Sequence, residues 1–122
     1  MLMNMKSLLE VANANNFAIP AFNTTHNMIM RGVLEASEEM QAPVIIEIHP
    51  DELEFARPSF ITAIVEEAHR ASVPVCIHLD HGSSMEQILK AIQCGYTSVM
   101  IDASSRPIDE NIAICKEVCH IA

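Results

Sequence analysis

The chain has 122 residues, half of them apolar and 19% charged, which is enough for one folded domain but only about half of the roughly 250 residues used by a complete eight-stranded βα barrel. A net charge of −9, with only seven Lys and Arg, argues against a nucleic-acid partner. No apolar run approaches the ~20 residues of a membrane span, and the start Met1-Leu2-Met3-Asn4-Met5-Lys6 lacks the apolar region of a secretion signal, so no membrane partner and a cytoplasmic location are expected.

The hydrophobic period switches repeatedly between the two types that mark strands and helices. A short helix is predicted from about Lys6 to Ala14, followed by an apolar run from Phe17 to Phe22 that reads as a first strand, near 18–23. Ile29, Val33, Ala36 and Met40 share a helix face, and Pro43 opens a second strand from Val44 to Ile48. Ile61, Ile64, Val65 and Ala68 define the next helix, and Val73 to Leu79 a third strand. In the fourth unit Met85, Ile88, Leu89 and Ile92 form a helix face and Thr97 to Ile101 a strand; Ile108, Ile112, Cys115, Val118 and Cys119 close the chain as an amphipathic helix. Ser83-Ser84-Met85-Glu86-Gln87 contains two overlapping capping boxes, and Pro107 with Asp109 and Glu110 suits a first helical turn.

Strands that are apolar throughout, separated by helices, imply an α/β fold with a parallel sheet covered by helices and joined by right-handed crossovers. Neither a Gly/Ser-rich linker nor an internal boundary is visible, so residues 1–122 read as a single domain. Cys76, Cys94, Cys115 and Cys119 form no Cys-x-x-Cys pair and lie in apolar context, which predicts reduced core residues.

Asn23, His49, Asp80, His81 and Asp102 each fall at the C-terminal end of a predicted strand, the edge where parallel α/β sheets bind ligands. Glu47 and His49 share one strand face, as do His78 and Asp80. His78-Leu79-Asp80-His81-Gly82 places two imidazoles and a carboxylate in five residues before a capped helix. Imidazole suits zinc, and an adjacent carboxylate can move protons beside a metal; in isolation the pattern fits a hydrogen-bonding role equally well. It also echoes the end of the metallo-β-lactamase motif, but the earlier histidine pair of that motif is absent.

With its surroundings, the segment resembles the class II fructose- and tagatose-bisphosphate aldolases, most closely their smaller ketose-bisphosphate branch. The resemblance runs through Ile19-Pro20-Ala21-Phe22-Asn23, Ala42-Pro43-Val44-Ile45-Ile46, His78 to Gly82, Gly95-Tyr96-Thr97-Ser98-Val99-Met100-Ile101-Asp102 and Pro107 to Ile112. It implies that the chain is the N-terminal half, about four βα units, of a TIM (β/α)8 barrel. It also implies a zinc-dependent lyase that reversibly cleaves a ketose 1,6-bisphosphate to dihydroxyacetone phosphate and glyceraldehyde 3-phosphate.

By the same resemblance Asp80 is the catalytic acid/base at the substrate C4 hydroxyl, and His81 is the first zinc ligand. Asp102 matches a carboxylate that contacts a second, divalent or monovalent cation, Asn23 a substrate-binding amide, and His78 a residue that orients the site. His49 stands where many relatives carry a hydroxyl that contacts substrate phosphate, so it is assigned to sugar-phosphate binding. His26, His69 and His120, on predicted helices, receive no role. Two further zinc-binding histidines, a catalytic glutamate and a Gly-rich phosphate loop belong to the family's second half-barrel and lie outside these 122 residues. The isolated chain is therefore expected to be inactive and to associate through open sheet edges or as a homo-oligomer. A non-catalytic relic, scaffold or split-enzyme fragment is the alternative.

Overall fold

The computed structural model describes all 122 residues. The elements run α1 (Met5–Asn15), β1 (Ala21–Asn23), α2 (Asn27–Glu39), β2 (Val44–Ile48), α3 (Pro50–Arg70), β3 (Val75–Gly82), α4 (Met85–Cys94), β4 (Ser98–Ile101) and α5 (Ile108–Ile121). The four strands are parallel and lie in the order β1-β2-β3-β4. Sequential order without reversal is the arc of a barrel, whereas a doubly wound sheet reverses around an inner strand.

The two sheet faces differ because successive strand residues point to opposite sides. Val44, Ile46, Ile48, Val75, Ile77 and Leu79 pack with Leu34 of α2, Ile61, Ile64 and Ala68 of α3, and Ile88 and Ala91 of α4. Each large aliphatic side chain buried there contributes on the order of 1.5–3 kcal/mol relative to exposure. On the opposite face, Ile45 and Cys76 meet Leu8 of α1, with Met3, Met5 and Ile19 around them, so α1 covers the lower part of that face.

Above this layer the register aligns one residue from each strand: Asn23 pairs with Glu47, Glu47 with His78 and His78 with Ser98. An unbroken polar row thus crosses an otherwise apolar sheet. It lies on the face opposite α2, α3 and α4, above the part that α1 covers and next to the C-terminal strand ends.

Several local expectations are corrected. The first strand is Ala21–Asn23, not the whole of 17–22, and all three residues are exposed. Pro20 has no N–H to donate; its carbonyl accepts from Ile45, and ladder pairing begins one residue later. The third helix begins at Pro50, directly after β2, and is broken at Arg57, where φ is 65° and ψ 165°. Pro58 disfavours helical backbone at the preceding residue, so Pro50–Ala56 forms a short helical ledge before the main helix starts. The third strand extends beyond Leu79 to Gly82. His26 and Pro107 are N-caps rather than residues within helices. Of the four free cysteines only Cys76 is buried; Cys94, the last residue of α4, is half-buried, and Cys115 is half-buried and Cys119 exposed because α5 has only one buried residue, Val118.

Candidate active site

The Asp80–His81 pair owes its geometry to a bulge. Between Leu79 and Gly82 three steps on β3 face two on β4, from Val99 to Ile101, and His81 takes a left-handed backbone with φ 55°. In a regular strand Asp80 and His81 would point to opposite faces. The extra residue and the positive φ bring them to the same rim, with His81 Nε2 3.6 Å from Asp80 Oδ1. Such a conformation in a non-glycine residue costs about 1 kcal/mol or more and is met at functional sites.

Gly82 permits the bulge. Its carbonyl accepts from Asp102 N at 2.7 Å, and an added Cβ would come within 2.8 Å of the Met100 carbonyl oxygen. The strands therefore approach too closely here for any side chain.

Asp102 follows β4 and joins the site through both carboxylate oxygens. Oδ2 accepts from His81 Nδ1 at 3.2 Å, and Oδ1 accepts from Ser104 N at 3.0 Å. The bonds to Ser104 and then that to His81 hold its carboxyl down at about 2. In return Asp102, then Asp80, raise the pKa of the His81 imidazole. A carboxylate on one ring nitrogen orients an imidazole and strengthens the other nitrogen as a metal donor. Here that other nitrogen faces Asp80.

The middle of the polar row lies beside this pair. One donor atom each from Glu47, His78 and Asp80 lie within 4.8 Å of one another, a donor set that can hold a metal ion. His78 Nδ1 contacts Ser98 Oγ at 2.8 Å, and burial lowers the His78 pKa. Burial, followed by the charge of Asp80, raises that of Glu47. An imidazole that stays unprotonated and carboxylates that gain by sharing a cation fit together chemically.

His49 caps α3: its Nδ1 accepts from Asp51 N at 3.3 Å, and the Glu52 carboxylate in turn accepts from His49 N at 3.1 Å. The His49 and His81 rings are 6.5 Å apart between centroids. Asn23 is exposed at the end of β1, in register with Glu47. The strand ends thus bring together His49, Asp80, His81 and Asp102, with Asn23 at the near end of the polar row. His69 and His120 lie in α3 and α5, away from the rim. Spacing alone does not reveal Ser98, Glu47 as a donor beside Asp80, or the steric need for Gly82, since all three depend on which strands adjoin. The polar Glu47 inside a Val/Ile strand was the one visible signal.

The sequence profile of the family described as "Fructose-bisphosphate aldolase class-II" matches residues 3–122. The chain is 38% identical to the fructose-bisphosphate aldolase of Thermus caldophilus over 122 residues, which are all of this chain and 40% of that protein. It is 41% identical over 124 residues to the 6-phospho-5-dehydro-2-deoxy-D-gluconate aldolase of Bacillus licheniformis, covering 98% of this chain and 42% of that one. The crystal structure of the YdjI aldolase from Escherichia coli K12 superimposes with a TM-score of 0.94 at 35% identity, over 99% of this chain and 46% of that one. The chain therefore spans less than half the length of these relatives, and its four parallel strands correspond to the N-terminal half of their fold. On the profile match and these likenesses, the chain belongs to the class II fructose-bisphosphate aldolase family.

Proposed function

We propose that this half-barrel carries the proton-transfer carboxylate and the first metal-binding imidazole of a class II aldolase, acting reversibly on a ketose bisphosphate once a second half-barrel completes the site. The observation that carries the reading is the bulge that sets Asp80 beside His81 at the strand ends while Asp102 holds the far side of the same imidazole. In this scheme Asp80 takes or returns the proton of the substrate hydroxyl as the neighbouring carbon–carbon bond breaks or forms. Its side chain is only 18% exposed, which limits competition from water. Asp102 keeps the His81 proton on Nδ1 and leaves Nε2 to ligate.

Zinc is the proposed metal, with His81 as a ligand and the carboxylates of Glu47 and Asp80 close by; it would polarise the substrate carbonyl and stabilise the negative charge that develops there. A catalytic zinc takes about three protein ligands, so further ligands from a second half-barrel form part of the proposal. The second-cation role of Asp102, the substrate contacts of Asn23 and His49, and a cytoplasmic setting complete it. The relatives carry two different substrate names, so fructose and tagatose bisphosphates and 6-phospho-5-dehydro-2-deoxy-D-gluconate all belong in the assay.

The test is co-expression with the C-terminal half of a related aldolase. Cleavage should require both pieces and vanish with His81→Ala. Turnover by the 122-residue chain alone, or none from a soluble assembled pair, would refute the reading.

A second reading, a non-catalytic half-barrel that pairs with another copy of itself, has its own support. β1 and β4 each have one unpaired edge, and a groove of about 630 Å³ along β4 is lined by Asn4, Met5, Ser98, Val99 and Cys119, among others. Free edges invite strand pairing. A stable homodimer that neither binds zinc nor gains activity from a second half would favour it.

A further inference from the structure

We infer that His49 is a specificity-determining contact, held by helix α3 in its Nε2–H tautomer so that it donates a hydrogen bond to an uncharged hydroxyl or carbonyl oxygen of the substrate, not to phosphate. The identity of the substrate rests on the aldolase reading; the tautomer does not.

The tautomer follows from the cap. The α3 N-terminus leaves backbone N–H groups without helical partners, and the His49 ring fills the role usually taken by a Ser or Asp oxygen. Its Nδ1 accepts from Asp51 N at 3.3 Å, which engages the lone pair of that nitrogen and leaves the ring proton to Nε2. The Asp51 carboxylate, 3.5 Å from the same Nδ1, favours the opposite placement. That carboxylate is 87% exposed and screened by water, whereas the amide is fixed by the helix, so the cap prevails. Nε2 has no protein partner, the side chain is 40% exposed, and the ring stands 6.5 Å from that of His81.

The surroundings select the ligand. A helix N-terminus ordinarily attracts anions through free N–H groups. Here Asp51 N is spent on the His49 ring, and Glu52 N and Leu53 N on the His49 carbonyl. The Glu52 carboxylate already caps the turn, and the Asp51 carboxylate, 3.5 Å from the ring, adds negative charge beside it. A phosphate there would meet the Asp51 and Glu52 carboxylates with no amide to receive it. A hydroxyl or carbonyl oxygen requires only the one donor that Nε2–H provides.

Long-range ¹H–¹⁵N correlation spectra of the full chain, above the pH range where imidazoles protonate, test this directly, with His49→Asn assigning the signal. The expected pattern has Nδ1 bare and Nε2 protonated, and dihydroxyacetone phosphate should move the Nε2 resonance more than inorganic phosphate at equal concentration. His49→Asn, which keeps a capping oxygen, should melt within a degree or so of the parent, and His49→Ala a few degrees lower. A proton on Nδ1, an equal response to inorganic phosphate, or no response to either compound would overturn the inference. A wrong tautomer alongside an active completed barrel would sink it and leave the aldolase reading standing. A correct tautomer and ligand preference alongside an inactive barrel would support it and sink that reading.

Discussion

Asp102 Oδ2 lies 3.2 Å from His81 Nδ1, joining residues 21 apart in sequence across the β3–β4 boundary. In metal-free protein His81 should therefore titrate above 6.5, and Asp102→Asn should bring it down. The raised imidazole contributes stability that is complete below 6.5 and is lost as pH rises through its folded-state pKa. The depressed carboxylate contributes stability that is complete above 3.8 and is lost as pH falls towards about 2. The pair is solvent-accessible, so the effect on melting should be small and should shrink in high salt. A histidine titration by NMR that is unchanged in the Asn variant would contradict the pairing.

Metal and proton chemistry should separate by mutation in a completed barrel. His81→Ala is expected to lower zinc content and turnover together, while Asp80→Ala abolishes turnover, by roughly 100-fold or more, and leaves most of the metal bound. Elemental analysis beside a cleavage assay decides. Loss of zinc in the Asp80 variant, or its retention in the His81 variant, would reverse the assigned roles.

Gly82→Ala should destabilise the fold by about 1–3 kcal/mol, because the new methyl meets a backbone carbonyl, which cannot rotate away. The closest atoms are Met100 O at 2.8 Å and, at 3.0 Å each, Ile88 Cδ1 and Leu79 Cδ2. Urea denaturation measures this, and an unchanged midpoint would mean that the strands separate at little cost.

Tyr96 presents the opposite case. Its hydroxyl is buried without a hydrogen-bond partner, and burial drives its pKa far above the ordinary value. Tyr96→Phe removes an unsatisfied polar group, so stability should stay within about 1 kcal/mol of the parent or rise. A loss well beyond that in a thermal melt would show that the hydroxyl has a partner in solution.

Much of the fold was legible because each βα unit shows its own change of hydrophobic period. Val44–Ile48 and the Ile61, Ile64, Ala68 face declare strand and helix locally. Polar residues at strand ends marked the rim for the same reason. The rest depended on distant neighbours. Asp80 and His81 look like ordinary alternation until β4 is placed alongside, and only then does the extra residue become a bulge. The ledge after His49 was hidden by Arg57-Pro58, which breaks the periodic pattern on which the helix assignment relied. Phe17–Phe22 has strand composition, yet hydrogen bonding to β2, which composition does not record, limits its ladder to three residues.

The ledge has a consequence for variation within this architecture. Pro50–Ala56 leaves the sheet at His49 and rejoins the barrel frame at Pro58, and Phe55 on it is 92% exposed. Leu53 anchors the segment in the core and Ala56 packs against it, while Asp51, Glu54 and Phe55 are exposed. The exposed positions can change side chain without disturbing the strands beneath, whereas Leu53 ties any change there to the core. Sequence change at the strand ends is therefore borne by the outward half of the ledge, and its inward half stays bound to the packing of the sheet.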